Sequence, residues 1–491
     1  MSHYKPDPNK NVNLTIDGYP VTVPEGTTIL EAARKINIKI PTLCNHPELH
    51  RRAVCRLCVV ESDGRGKLMA SCANAVSEGM NVVTNNARIL SIRKLIVDLL
   101  LASHPHDCLG CVRSKKCELQ ALATTFGLQP LPFRHEFVDR RLPKTESGTL
   151  VRDMRKCIKC GRCVEVCQEV QTVGAINSSH RSVDYVISTP YRQALSDGPC
   201  VFCGQCEAVC PVGAIYEHDQ SADVWAVLSD KERHAAVLVS AQVGAALDEE
   251  FGLPPGTVTG GKIVTALKRM GFKAVFDSGF FADEAVMEEG SELLDRIKNS
   301  KSGKAKLPMI AGSAPGWIRF VEQFYPDLTE HLAACKSPQG IFGARIKTRD
   351  SGTTAVFVTP FIAGKFEARY NDVDTVLTPR ELVRMIRQVG ITFNDLPESP
   401  FDAVKSEAGR DPGALGGMEA VLRKIHEVYT GERPVPAVFR ELSQGIKEAE
   451  VDLQGTSVKV IFVTGLANAR TIMDSIRRGE CDAVFVGIMS N

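Results

Sequence analysis

Fifteen of the 17 cysteines in this 491-residue chain fall between Cys44 and Cys210, and only Cys335 and Cys481 follow. Crowding on this scale has two explanations, a disulfide framework or metal ligation, and either one dictates the fold around it. Disulfide frameworks belong to small secreted domains. The N-terminal run MSHYKPDPNK is polar, carries two prolines and lacks the apolar core of an export signal. The chain is therefore expected to be cytoplasmic, and its Cys-x-x-Cys pairs to bind metal.

Spacing sorts these cysteines into sets. Cys44, Cys55, Cys58 and Cys72 are separated by ten, two and 13 residues. The segment before them reads as a small sheet with one helix. Strands over Val12–Ile16 and Val21–Val23 flank the turn Asp17-Gly18, and Thr28-Ile-Leu-Glu31 is a capping box that opens a helix to about Ile36. Cys44 then falls in a loop, and the two-residue gap lets one loop present two thiolates to one centre. Four thiolates suit a 2Fe–2S cluster or a zinc ion, and the ten-residue first gap departs from the plant ferredoxin run.

His104, Cys108, Cys111 and Cys117 form the second set, with gaps of three, two and five. Three cysteines need a fourth partner, and His104 sits one turn before the first of them; His106 reads as an ordinary surface or core histidine. A neutral imidazole in place of a thiolate favours the reduced cluster, as histidine ligation does in Rieske centres. The last two sets are a repeat. Cys157, Cys160, Cys163 and Cys167 have gaps of two, two and three, and so do Cys200, Cys203, Cys206 and Cys210, followed by Pro211. This is the bacterial two-cluster ferredoxin run, in which the fourth cysteine of each run ligates the other cluster. One 4Fe–4S cluster is expected on Cys157, Cys160, Cys163 and Cys210, the other on Cys167, Cys200, Cys203 and Cys206. Fifteen cysteines and His104 make sixteen ligands, four for each of four clusters, with no cysteine of the region left over.

Composition narrows the remaining classes. A net charge of +1 gives no broad basic surface for nucleic acid. The longest apolar runs are broken, Leu95–Ala102 by Asp98 and Ala235–Leu247 by Ser240 and Gln242, so no span of roughly 20 apolar residues crosses a membrane. Beyond residue 220, β-like runs (Ala274–Phe276, Ala355–Val358, Thr375–Leu377, Val458–Val463, Ala483–Val486) alternate with helical ones (Glu284–Ile297, Pro379–Val389, Asn468–Arg478), which predicts an α/β domain with mostly parallel sheets. Gly256–Lys262 nearly matches a phosphate-binding loop, but Ile263 stands where Ser or Thr would hold magnesium and no strand precedes it. A plain loop leading into a helix at Ile263–Arg269 is expected. No G-x-G-x-x-G dinucleotide fingerprint occurs, so nucleotide chemistry belongs elsewhere.

The first set resembles the N-terminal 2Fe–2S domain of the large iron–sulfur subunit of complex I and of iron-only hydrogenases, and HPHDCLGCVRSKKC resembles the His(Cys)3 4Fe–4S domain of the same families. The second half resembles the catalytic domain of iron-only (FeFe) hydrogenases, in stretches such as EEFGLPPGTVTGGKIVTALKRMGFKAVFD, CKSPQGIFGARIK and VKVIFVTGLANA. The resemblance implies a multidomain α+β and α/β chain: a β-grasp 2Fe–2S domain (1–86), a His(Cys)3 domain (87–127), a linker (128–146), a two-cluster ferredoxin domain (147–220) and a hydrogenase-like domain (221–491).

In that family four cysteines in three motifs hold the catalytic H-cluster. The first reads Thr-Ser-Cys-Cys-Pro-Gly-Trp; here Ser313 replaces the proton-relaying cysteine and Ala314 a ligand, before Pro315-Gly316-Trp317. The second reads Met-Pro-Cys-x-x-Lys; here Phe361 replaces a ligand and Gly364 the lysine that binds the di-iron cyanide. The third would follow Val486, where this sequence reads Gly487-Ile-Met-Ser-Asn491. The H-cluster is expected to be absent, with Phe361 and Ala314 filling its cavity, and Cys335 and Cys481 read as buried free thiols.

The resemblance thus implies an electron-wiring subunit of an NAD(P)H- and ferredoxin-linked oxidoreductase, of the electron-bifurcating kind or otherwise. FMN and NAD(P) would sit on a flavin-containing dehydrogenase partner, beside a small thioredoxin-like 2Fe–2S subunit, with formate dehydrogenase or ferredoxin as terminal partner. Two other classes compete. One is an active hydrogenase with an unusual site. The other is a regulatory or cluster-assembly protein on a hydrogenase-like scaffold, which would be expected to keep cysteines in its C-terminal half. One 2Fe–2S and three 4Fe–4S clusters require about 14 iron atoms per chain. Iron analysis of anaerobically purified protein is expected to return that figure; a count of about 20 would mean that an H-cluster is present.

Overall fold

The computed structural model describes residues 7, 9–62, 66–128, 144–300, 306–312, 314–402, 439–453 and 456–489. The chain begins with β1 (Asn11–Ile16) and β2 (Tyr19–Pro24), an antiparallel hairpin whose turn residues Asp17 and Gly18 both take positive φ, 51° and 84°. Val12, Leu14, Ile16, Val21 and Val23 alternate into the core, the period-2 pattern of a half-buried strand pair. Helix α1 (Ile29–Lys35) opens at the expected capping box: Thr28 Oγ1 accepts the Glu31 N–H while the Glu31 carboxylate accepts the Thr28 N–H. β3 (Val59–Ser62), β4 (Lys67–Ala70) and β5 (Asn81–Val83) complete a mixed sheet of order β2-β1-β5-β3-β4 in which β1 and β5 are parallel.

Helices α2 (Ala87–Ala102) and α3 (Glu118–Thr125) carry the second set. A small core of Leu43, Leu57, Val97, Leu119, Val212 and Ala214 joins this unit to the ones before and after it. The ferredoxin-type unit has little regular structure: β6 (Lys144–Glu146), β7 (Leu150–Asp153), the four-residue α4 (Arg162–Glu165), β8 (Asn177–Ser179), β9 (Val186–Ser188), the four-residue α5 (Gln205–Ala208) and β10 (Ile215–Glu217). Its strands pair as β10-β7-β6 and as a β8–β9 hairpin. Lys144–Glu146 was expected to belong to the linker, yet it pairs with β7 and so belongs to this unit. Residues 129–143 of that linker lie outside the described residues.

The second half contains two layered sheets. α6 (Ser221–Leu228), β11 (Ala235–Val239), α7 (Val243–Phe251), α8 (Gly260–Met270), β12 (Ala274–Asp277), α9 (Ser278–Ser300), β13 (Met309–Ile310), α10 (Pro315–Phe324), α11 (Pro338–Arg349), β14 (Thr354–Val358), α12 (Ala363–Glu367), β15 (Thr375–Leu377), α13 (Pro379–Gln388), β16 (Arg440–Ser443), β17 (Ile446–Leu453), β18 (Thr456–Thr464), α14 (Leu466–Arg477) and β19 (Phe485–Met489) follow in order. The sheet β12-β11-β14-β15 is wholly parallel. Val237, Val239, Val356 and Val358 pack on one face against α7, α8 and α13, while Ala236, Leu238 and Ala355 pack on the other against Phe281 and Phe342. Both faces are covered, which is why these strands are apolar throughout. The sheet β13-β19-β18-β17-β16 is mixed, with antiparallel β16 and β17 at its edge.

Two sequence expectations shift. Gly256–Lys262 is preceded by α7, not a strand, and α8 starts inside it at Gly260 rather than at Ile263. The last strand runs over Phe485–Met489 instead of Ala483–Val486. Among the described residues no helix is long and apolar enough to cross a membrane.

Ion pairs fasten the units together. Arg52 meets Glu165 at 2.6 Å, Arg162 meets Glu118 at 2.6 Å, and the buried Glu207 accepts from both Arg113 (2.9 Å) and Arg380 (3.1 Å). Deepest is Lys365, whose ammonium donates to both Glu381 oxygens (2.9 and 2.8 Å) and to His218 O (2.8 Å), with both side chains wholly buried. Glu381 also caps α13 through Thr378 N and accepts from Gln220 N, so one carboxylate ties α12 and α13 to the segment leaving the ferredoxin-type unit. Removing one partner of such a pair leaves a buried charge uncompensated. K365M is expected to lower stability by about 3–5 kcal/mol, and the double variant K365M/E381Q to recover most of that loss. Urea unfolding followed by circular dichroism measures both; an unchanged K365M midpoint would show that the pair does not hold the units.

Candidate metal centres

The first set converges in the loop after α1. Cys58 Sγ stands 3.3 Å from Cys72 Sγ, and the Cys44 thiol is hydrogen-bonded with those of Cys55 and Cys72. The Cys55 hydrogen bond holds Cys44 far below an ordinary thiol, and Cys72 brings Cys58 down to about 6, while Cys55 and Cys72 are pushed up by the same contacts. Backbone N–H groups of Cys55 and Val54 also point at Cys44, and that of Leu57 at Cys55. Ala53 and Arg56 take positive φ (53° and 59°) within this loop. Donors aimed at sulfur favour the thiolate, which is the ligating form.

In the second set Cys117 is the N-cap of α3, its sulfur accepting the Gln120 N–H at 3.5 Å. Cys108 and Cys111 are its charge neighbours. His104 follows the end of α2 and is only 7% exposed, and its buried Nδ1 has no hydrogen-bond partner. Burial, aided by Lys156, lowers its pKa to about 4, so the ring is neutral at pH 7, the form that ligates metal. His106 is exposed.

The repeat of the third and fourth sets extends to the backbone. Lys159 and Phe202, inside the first gap of each run, take φ of 56° and 55°, and Gly161 and Gly204 take 80° and 77°. The runs interlock: Cys210 is a charge neighbour of Cys157, Cys160 and Cys163, and Cys167 of Cys200, Cys203 and Cys206. Each run's fourth cysteine thus neighbours the first three of the other run, and Cys163 also neighbours Cys206. Burial pushes up Cys157 and Cys203 to about 11 and Cys160 and Cys200 to about 12. Thiols so desolvated become thiolates only when iron supplies the compensating charge. Among the described residues no group of three or more His, Cys, Asp or Glu side chains is arranged to hold one metal ion.

The remaining candidates lie past the carboxyl ends of parallel strands. Ala314 follows β13 as the N-cap of α10, and Phe361 and Gly364 follow β14. Both segments touch the Cys200–Cys206 loop. A Cβ on Gly204 would meet Ile362 at 2.9 Å, and one on Gly316 would meet Val201 O at 3.1 Å. Arg319 donates to Cys200 O at 2.6 Å and lies over the stacked rings of Phe202 and Phe366. Ser313 lies outside the described residues.

Comparison with known proteins places these parts. Residues 9–87 match the 2Fe-2S iron-sulfur cluster binding domain, 93–130 the NADH-ubiquinone oxidoreductase-G iron-sulfur binding region and 156–214 the 4Fe-4S dicluster domain. Residues 233–490 match the iron only hydrogenase large subunit, C-terminal domain. The NADP-reducing hydrogenase subunit HndD of Solidesulfovibrio fructosivorans is 39% identical over 96% of this chain and 85% of its own length. The chain belongs to the iron-only hydrogenase large-subunit family. Iron hydrogenase 1 of Clostridium pasteurianum is 33% identical over 97% of this chain and 86% of its own length. An FeFe-hydrogenase structure from Chlamydomonas reinhardtii superposes with a TM-score of 0.51 at 29% identity, covering 56% of this chain and 82% of that one. The matched domains carry 2Fe–2S and 4Fe–4S clusters, which favours iron over zinc in the first set.

Phe361 was expected to fill the vacated cavity; it is instead 48% exposed, because its neighbour Ile362 takes the inward place against Gly204. Ala314 packs at the edge of the core shared with the ferredoxin-type unit. A side chain at Gly364 would meet Gln339 Oε1 at 3.0 Å, and the next residue, Lys365, is committed to Glu381. Cys335 and Cys481 are free thiols, half-buried rather than buried.

Sequence reading missed Glu367 on α12, which burial pushes up to about 7 although the Ser337 hydroxyl donates to it. Its folded pKa lies above the ordinary 4.5, so the native state holds the extra proton and stability falls as pH rises from 4.5 to about 7. E367Q is expected to flatten that decline, measured by urea unfolding at about pH 5 and about pH 8; an unchanged slope would contradict the assignment.

Proposed function

We propose that this chain is a non-catalytic electron-wiring subunit of a cytoplasmic, multi-subunit NAD(P)H- and ferredoxin-linked oxidoreductase. Cys44, Cys55, Cys58 and Cys72 hold a 2Fe–2S cluster, and His104, Cys108, Cys111 and Cys117 a 4Fe–4S cluster. Cys157, Cys160, Cys163 and Cys210 hold the third cluster, and Cys167, Cys200, Cys203 and Cys206 the fourth. The observation that carries the reading is the contrast between sixteen candidate ligands within 44–210 and Ala314 and Phe361, which stand where the resembled family motif places cysteines.

The clusters supply one-electron storage when bound. The chain's own residues supply the rest: backbone N–H groups and buried side chains fix the sulfurs, and the core of Leu43, Leu57, Val97, Leu119 and Val212 keeps the first three sets adjoining. Electrons enter from a flavin-containing NAD(P)H dehydrogenase subunit, which carries FMN, through a small thioredoxin-like 2Fe–2S subunit. They leave to ferredoxin or to a partner such as formate dehydrogenase, in an arrangement that accommodates electron bifurcation. One relative is named as part of an NADP-reducing hydrogenase and another as part of the NADH-quinone oxidoreductase of Rhizobium meliloti, and both support a multi-subunit, NAD(P)-linked setting.

Membership of a hydrogenase family favours one competing reading, an active hydrogenase with an unusual site. The two separate in one preparation. Anaerobic purification of the tagged chain from its host is expected to bring down a flavoprotein, with hydrogen evolution from reduced methyl viologen at background. Robust turnover, or isolation of the chain alone, would overturn the proposal.

A further inference from the structure

Two guanidiniums are buried with no carboxylate to balance them. Arg152, on β7, is 3% exposed. Its Nη2 reaches only neutral acceptors, Met154 Sδ at 3.5 Å and Ile187 O at 3.2 Å, and its buried Nε has no partner. Arg93, on α2, is 5% exposed; its Nη2 donates to Val59 O at 2.7 Å and its Nε also has no partner. The other deeply buried cations are matched: Arg162 by Glu118, Lys156 by Asp107 and Lys365 by Glu381. Among the described residues neither Arg93 nor Arg152 forms an ion pair with a carboxylate. A buried charge without a counter-charge is among the most costly groups a fold can hold.

Both lie against cysteine-bearing loops: Arg152 reaches Met154, whose carbonyl accepts the Cys157 N–H at 3.2 Å, and Arg93 donates to the carbonyl of Val59, the residue after Cys58. Arg152 is a charge neighbour of Cys157 and Cys163 in one crossed set and of Cys167 in the other. Arg93 is a charge neighbour of Cys58, and feels Asp17 without closing an ion pair to it. We infer that Arg93 and Arg152 are counter-cations for the clusters themselves, Arg93 for the 2Fe–2S centre and Arg152 for both 4Fe–4S centres of the ferredoxin-type unit. This rests on the cluster assignment proposed above. A cluster held by thiolates is anionic and gains one more negative charge when a reductant gives it an electron. A fixed cation in a low-dielectric interior therefore stabilises the reduced form and raises the midpoint potential. Both arginines act as positioning residues: they touch no substrate and set how readily each centre accepts its electron.

The test is an EPR-monitored redox titration of the full-length chain, anaerobically reconstituted, with dithionite as reductant and iron and sulfide assayed in each sample. R93Q is expected to lower the 2Fe–2S midpoint and leave the 4Fe–4S signals in place, and R152Q to do the reverse. R93K and R152K, which keep the charge, are expected to restore the midpoints toward the unaltered protein. Midpoints that do not move in glutamine variants with full iron would overturn the inference and leave the cluster assignment standing. An unaltered chain without four clusters' iron would overturn both. Where R152Q takes up no cluster, R152K decides: it is expected to take up full iron with a midpoint near that of the unaltered protein, and an R152K chain as empty of iron as R152Q would overturn the inference.

Discussion

The first half of the chain depends on burying thiolates. Cys58 and Cys72 are 1% exposed, Cys44 is 3%, and Cys160, Cys163, Cys200 and Cys206 are 8%. Around the last four, the described residues offer α4, continued by a π-helical turn over Val166–Val170, the four-residue α5 and strands of three or four residues. Helices that short do not form on their own, since one turn costs more backbone entropy than its few hydrogen bonds return. The loops between the cysteines instead carry the positive-φ residues and the backbone N–H groups that face sulfur. In such a unit the ligands organise the secondary structure, and the binding energy of the metal is in large part folding energy.

That dependence explains what the sequence made legible. A cluster-binding loop is local, so its ligand spacing survives in the primary sequence, and even the crossed grouping of Cys167 and Cys210 could be read from two matching runs. The capping box at Thr28 and the apolar strands β12, β14 and β15 were equally visible, for they too rest on neighbouring residues. What joins the units was not visible. Arg52 and Glu165 are 113 residues apart, Arg113 and Glu207 are 94 apart, and Lys365 reaches His218 across 147. Each such pair is two ordinary surface-type residues until the fold brings them together. Strand β17 was missed although Ala449, Val451 and Leu453 alternate with Glu450 and Asp452, a period-2 signal its many charges concealed.

The C-terminal positions show the same limit from another side. Ala314 and Phe361 are plain in the sequence, but where their side chains go is not. A phenylalanine in place of a buried ligand invites the expectation that it fills the gap. The backbone after β14 instead presents Ile362 inward and Phe361 outward, and Gln339, whose Nε2 donates to Gly364 O at 3.1 Å, blocks the neighbouring place. One residue of register decides which side chain is core, and that register is set by contacts with the Cys200–Cys206 loop rather than by hydropathy.

Those contacts also give the α/β domain a physical role beside the Cys200–Cys206 loop. Val201, Phe202 and Cys206 share one core with Trp317, Phe320, Ile362 and Met473. Arg319 closes the same face by donating to Cys200 O, Ser196 O and Gly198 O. Without α10, α12 and α14 the Cys200–Cys206 loop would stand in water, and both its desolvation and the N–H donors ordered around its sulfurs would weaken. Solvent exposure and hydrogen bonding to sulfur are two of the levers that set a cluster's potential. The α/β domain therefore walls the Cys200–Cys206 loop off from water, with Phe361 on the exposed side.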